Sequence, residues 1–237
     1  MLYQEEVASR GGVLTMQKDW EKGTVNAYAM RGGSRGEKWI VAMYGGLARH
    51  PKSTADSFSL VVCHELGHHL GGAPKKRMPF ANDPKWGSNE GQSDYFSTSK
   101  CLRKYFATKD NEAYLADKQV PKYVVDQCAH SFINHTEQLI CQRTALAGFE
   151  TALLLKEIGK KNNSAVLNFE TPSKKKVLTT SNSHPESQCR LDTYLQGALC
   201  TISADENMSN DNIHVGACTK KNGFTTGIRP RCWMKSH

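Results

Sequence analysis

Apolar positions in the first fifty residues fall into short runs separated by glycine-rich turns. Gly23 to Met30 (GTVNAYAM) alternates weakly, RGGSRGEK supplies a turn, and Trp39 to Tyr44 (WIVAMY) is a continuous apolar run closed by Gly45 and Gly46. Two such runs around a polar turn predict a hairpin. The spacing then changes. Phe58, Val62, Leu66 and Leu70 recur every four residues, Ser53 or Thr54 can cap a helix from Ala55, and Gly71-Gly72 can end it. Further helices are predicted from Ser88 or Asn89 to Phe106, from Pro121 to Phe132, from Thr136 to Lys160 and from Pro185 to Leu199. In the longest, Leu139, Leu146 and Leu153, with Ile140, Ala147 and Leu154 beside them, form a stripe read as core packing. Residues 161–183 are rich in Lys, Asn, Ser and Thr and read as an exposed loop, and 201–237 as a loop-rich, cysteine-containing tail. The pattern is α+β, mainly helical with a small N-terminal β-sheet, and it contains no internal repeat.

Composition narrows this picture. A chain of 237 residues supports one substantial core, so a single domain over 1–237 is expected, with its working part over roughly 20–200. Hydrophobic residues at 38% and charged residues at 23% suit a soluble globular protein, and the longest apolar stretches are too short to cross a bilayer. MLYQEEVASR lacks the basic start and apolar run of a secretory signal. The eight cysteines are dispersed, with no CxxC pair, which argues against a second zinc site and for disulfides made in an oxidising compartment. A periplasmic or secreted protein, its signal peptide absent from this sequence, is therefore expected. Eight cysteines allow about 105 pairings, so the connectivity stays open. The formal charge is +8, and its densest piece, Ser173 to Lys176, has no interleaved aromatics. It reads as a solvated loop, with no nucleic-acid partner expected and a peripheral contact with an acidic envelope surface as the alternative.

The chemistry lies in HELGHH. His64 and His68 are four residues apart, hence neighbours on one helix face, where both imidazoles can reach one zinc ion. Glu65 projects beside them as a candidate general base. His69 is rotated by about 100° from His68 and is left with a role behind the ligands or a purely structural one. A histidine eleven residues into the motif would make the third ligand in HExxHxxGxxH, but that residue is Pro74. Downstream, Glu90 can supply an oxygen ligand. Asp94, one helical turn later, can accept the outer N–H of a liganding histidine.

These residues resemble the glutamate-zincin family of CAAX prenyl proteases and heat-shock membrane proteases, in particular its soluble periplasmic members. The segment Asn26-Ala27-Tyr28-Ala29, the glycine turn, WIVAMY and Gly45-Gly46-Leu47 is similar to the family's strand segment before the zinc helix. Glu90 to Asp94 resembles its ExxxD helix, and His184-Pro185 with Arg190 its HPxxxxR element. The resemblance implies a zincin-like fold and a zinc metalloendopeptidase with one zinc ion per chain, held by His64, His68 and Glu90. It implies Glu65 as general base and His184 near the oxyanion. Asp94 would orient a ligand, and Arg190 would brace the oxyanion region around His184 or bind substrate backbone. The strand Trp39 to Tyr44, or its neighbour at Asn26, Ala27 and Tyr28, would be the sheet edge beside the zinc helix that takes a peptide as an added strand. Gly91-Gln92-Ser93 departs from the acidic residues or alanine often found inside ExxxD. Two rival readings remain: a catalytically silent, chaperone-like zinc-binding envelope protein on a peptidase fold, and an envelope-binding protein in which HELGH is fortuitous.

Overall fold

The computed structural model describes residues 2–76, 86–159 and 166–236. The predicted helix end at Lys160 and the loop residues 161–165 lie outside the described residues. In chain order the elements are α1 (Gln4–Ser9), β1 (Val13–Asp19), β2 (Ala27–Gly32), β3 (Lys38–Tyr44), α2 (Gly45–Ala48) and α3 (Ala55–Leu70). They continue with α4 (Glu90–Phe96), a π-type turn (Ser97–Cys101), α5 (Leu102–Phe106), α6 (Asn111–Ala116), α7 (Lys122–Ser131), α8 (His135–Ile158) and α9 (Ser187–Ala198). The protein is thus α+β and mainly helical, with one small sheet.

The sheet has the order β1-β3-β2. β2 and β3 form the expected antiparallel hairpin, whereas β1, not foreseen, pairs parallel to β3. Of the two strands offered as the sheet edge, Trp39 to Tyr44 is excluded, because β3 lies in the centre and β2 at the edge. Five consecutive residues of β3, Trp39 to Met43, are buried. An unbroken apolar run is what a strand covered on both faces requires.

Thr54, rather than Ser53, caps α3. Its Oγ1 accepts from Ser57 N at 3.0 Å while Thr54 N donates to Ser57 Oγ at 2.8 Å, a reciprocal capping box. Gly72, at φ +70°, turns the chain away after Leu70 in a conformation that favours glycine. Asn89, rather than Ser88, caps α4 by accepting from Gln92 N. The predicted helix to Phe106 runs on through the π-type turn. In α8 the core side is Ile140, Ala147 and Leu154; Leu139 and Leu146 are half-buried and Leu153 is exposed.

All eight cysteines are paired: Cys63–Cys101, Cys128–Cys141, Cys189–Cys232 and Cys200–Cys218. The last two fix the tail to both ends of α9. The tail is built into the interior, since Trp233 is buried and donates from Nε1 to Thr193 Oγ1 at 2.9 Å. One hydrophobic cluster draws on residues from Tyr3 to Met234. Among the described residues no helix is long and apolar enough to cross a membrane.

Candidate metal centre

α3 carries His64, Glu65 and His68 on its buried side, and α4 crosses it closely. A Cβ on Gly67 would lie 2.9 Å from Ser93 Cα, so the glycine inside HELGH permits the approach. That crossing brings Glu90, the first residue of α4, to the histidines. Glu90 Oε2 lies 3.2 Å from His64 Nε2 and 3.7 Å from His68 Nε2, and one ligand atom from each of the three residues lies within 4.8 Å of the others. Glu65 Oε2 is 3.9 Å from His68 Nε2.

Each imidazole is oriented from behind. His64 Nδ1 donates to Asp94 Oδ1 at 2.7 Å, and His68 Nδ1 donates to the Ser88 carbonyl at 2.9 Å with Ser93 Oγ equally close. These partners assign the ring hydrogens to Nδ1 and leave both Nε2 lone pairs facing Glu90. Glu90 Oε2 is buried and accepts no well-directed hydrogen bond, although three imidazole nitrogens surround it. Lone pairs converge on one point, an arrangement that a cation relieves. The donor set of two imidazoles and one carboxylate fits a metal ion.

The charges around the site favour a second ring proton on His64, at Nε2, which a cation bound there would displace. Burial opposes a charged His64, yet Asp94, Glu90 and Glu65 outweigh it and push its pKa up to about 10. Burial, with His64 adding to it, brings His68 down to about 3. Burial would raise Glu90, but His184 and His64 hold it far below the usual carboxylate range. Burial also raises Glu65. Asp94 is fully buried and stays ionised because Arg190 and His64 outweigh its desolvation.

Arg190 Nη2 donates to Asp94 Oδ1 at 2.6 Å and Tyr194 OH donates to the same oxygen at 2.9 Å. Arg190 is thus placed against the carboxylate behind His64, a contact different from either of its two expected tasks. His184 is largely exposed and sits with Nδ1 3.0 Å from Glu90 Oε2. Asn26, Ala27 and Tyr28 line a cleft of about 500 Å³ that also contains His64, Glu65, His68, Glu90, His184 and Arg190. The structure therefore brings all ten residues singled out from the sequence to one place or directly behind it, Asp94 being behind.

No protein-family model matches the chain, and comparison with curated proteins and with solved structures returned no match. The resemblance to glutamate-zincins rests on the sequence motifs alone.

Four contributors escaped the sequence reading. Tyr194 lies one turn after Arg190 on α9, so helical spacing could have paired them. Lys76 Nζ contacts Glu90 Oε1 at 2.5 Å, and Ser88 contributes only its carbonyl; neither leaves a sequence signal. Ser93 belongs to the departure noted inside ExxxD, and the structure explains that departure. Ser93 meets His68, Gln92 joins the Gly71 carbonyl to Arg229, and a Cβ on Gly91 would lie 2.2 Å from the Trp233 ring. Of its two expected roles, His69 takes the structural one: it donates to the Ile40 carbonyl and stacks between Trp39 and Trp86.

Proposed function

We propose that this protein is a zinc-dependent endopeptidase with a zincin-like arrangement, working in an oxidising compartment such as the periplasm or outside the cell. The observation that carries the reading is the convergence of His64 Nε2, His68 Nε2 and Glu90 Oε2 beside Glu65, on a cleft bordered by a sheet edge.

The edge supplies the substrate's register. Tyr44 N donates to the Asn26 carbonyl, which makes Asn26 and Tyr44 a hydrogen-bonded pair of the antiparallel ladder. Alternation along the ladder then turns the main-chain groups of Ala27, Ala29 and Arg31 outward. Ala27 and Ala29 line the cleft, where an extended peptide can bond to them as an added strand. Leu47, Leu60, Val61, Leu155 and Ile158 give the cleft an aliphatic wall for side chains.

His64, His68 and Glu90 would hold a zinc ion, which would supply Lewis acidity for a bound carbonyl and a water near neutral pH. Glu65 accepts the proton of the attacking water and passes it to the leaving amine nitrogen. Its burial, which raises the carboxyl pKa, makes it a better base than an exposed glutamate. His184, at the mouth of the site, faces the developing oxyanion. Asp94, Arg190 and Tyr194 keep His64 in one tautomer and orientation throughout.

The test combines metal quantification with a proteome-wide cleavage profile of wild type and Glu65→Gln. One zinc per chain is expected in both, with cleavage reduced about 10²–10⁴-fold in the variant. Equal cleavage by both would sink the scheme. Stoichiometric zinc with no cleavage by wild type would favour the silent, chaperone-like alternative.

A further inference from the structure

The excess positive charge of this chain is confined to two segments. Residues 171–185 hold Lys174, Lys175 and Lys176, and residues 212–237 hold Lys220, Lys221, Arg229, Arg231 and Lys235, with no Asp or Glu in either. Removing these eight cations from the total of 31 leaves 23, equal to the 23 acidic residues, so the rest of the chain is formally neutral.

Folding puts the two segments together. Val177 N donates to the Arg231 carbonyl at 2.9 Å, Ser181 N to the Trp233 carbonyl at 2.8 Å, and Lys235 N to Thr180 Oγ1 at 3.3 Å. Lys220, Lys221, Arg231 and Lys235 border a shallow cavity of about 130 Å³ on the tail. Arg229 is buried and bonds to the Ala73 and Ile213 carbonyls and to Gln92. The other seven cations are exposed. Beside the lysine run, Leu178 is 92% exposed. No Phe, Tyr or Trp ring is exposed among the described residues of either segment.

We infer that this face docks on an anionic phospholipid surface, with the lysines against the headgroups and Leu178 at the boundary of the acyl chains. A cluster of cations beside an exposed apolar side chain suits a bilayer interface, where both are satisfied at once. Single-stranded nucleic acid would call for a row of exposed aromatic side chains on which successive bases stack, and this face exposes no Phe, Tyr or Trp. Docking also fixes where the cleft works. His184 follows Lys176 by eight residues. The strap between them spans at most about 29 Å, so the metal centre operates within that reach of the bilayer.

The test is co-sedimentation of the full chain with vesicles of phosphatidylcholine alone or mixed with phosphatidylglycerol. Binding is expected to the mixed vesicles only, and to weaken steeply towards about 1 M salt, where the screening length falls to about 3 Å. Replacing Lys174, Lys175 and Lys176 together by Gln should lower affinity about a hundredfold. Leu178→Ser should remove the part of the binding that survives salt. All four side chains are exposed, and unchanged thermal midpoints would verify that the variants fold. A companion variant with Lys220, Lys221 and Lys235 replaced by Gln should weaken binding similarly. Failure to bind the mixed vesicles, equal binding to neutral ones, or indifference to both triple variants would overturn the inference. Salt-sensitive binding to single-stranded DNA without vesicle binding would assign the face to nucleic acid instead. None of these outcomes depends on peptidase activity.

Discussion

α4 is held from two sides by contacts of different kinds. Towards α3 the contacts are polar and short: Asp94 to His64, Ser93 to His68, and Arg190 and Tyr194 from α9 onto Asp94. Towards the tail they combine ring packing with hydrogen bonds and are covalently backed. Trp233 lies on Gly91, Arg229 reaches Gln92, and two disulfides fix the tail segments to the ends of α9. The polar side sets angles and tautomers, which the donor set needs. The tail has little regular structure of its own and takes its rigidity from cross-links, so it sets where α4 lies.

The polar side should break most severely at Asp94. Asp94→Asn leaves Arg190 buried beside a neutral amide, so a loss of about 3–5 kcal/mol is expected. Metal affinity should fall about 10–100-fold as His64 loses its anionic partner. Chemical denaturation and competition with a chelator read the two effects separately, and unchanged metal affinity would deny Asp94 its orienting part.

On the tail side, replacing both cysteines of a pair compares two loops. Cys189–Cys232 closes 43 residues and Cys200–Cys218 closes 18. Loop entropy gives about 4 and about 3 kcal/mol respectively, so the first pair should cost more. A reversed order in equilibrium unfolding would show that local packing, rather than chain entropy, dominates.

Gly91→Ala should cost about 1–3 kcal/mol through overpacking against Trp233. In a Trp233→Ala background most of that penalty should vanish, and additive costs would place the strain elsewhere.

A pH-dependent effect, absent at neutral pH, concerns Lys100, which joins the π-type turn to the tail through the Ser203 carbonyl. Burial brings this lysine down from 10.5 to about 8, so between these values the unfolded chain holds the proton that the folded chain has released. Stability relative to Lys100→Met should therefore rise with pH across that window and stay flat below it. A flat difference in thermal midpoint throughout would refute the shift.

Legibility followed locality. The cap of α3 at Ser53 or Thr54, the four-residue spacing of α3 and the start of α4 at Ser88 or Asn89 are written in adjacent residues and were readable to within one position. So was the hairpin. β1 was missed because only Leu14 is buried in it and its pairing with β3 is parallel, which gives no hairpin signal. The short helices α1, α2 and α6 also went unread, each no longer than six residues. The donor set could be assembled because each ligand sits on a recognisable helix. Its supports could not, since Lys76 and the Ser88 carbonyl act through proximity alone. Trp233 on Gly91 was beyond reach for the same reason.

That last contact imposes an order on biosynthesis. Gly91 and Trp233 are 142 positions apart. At about 5–20 residues per second, α4 emerges from the ribosome roughly 7–28 s before the residue that backs it. During that interval the nascent chain already carries the HELGH helix but lacks the wall against which Glu90's helix is seated. A centre backed by residues near position 233 is assembled late, after most of the chain has been made.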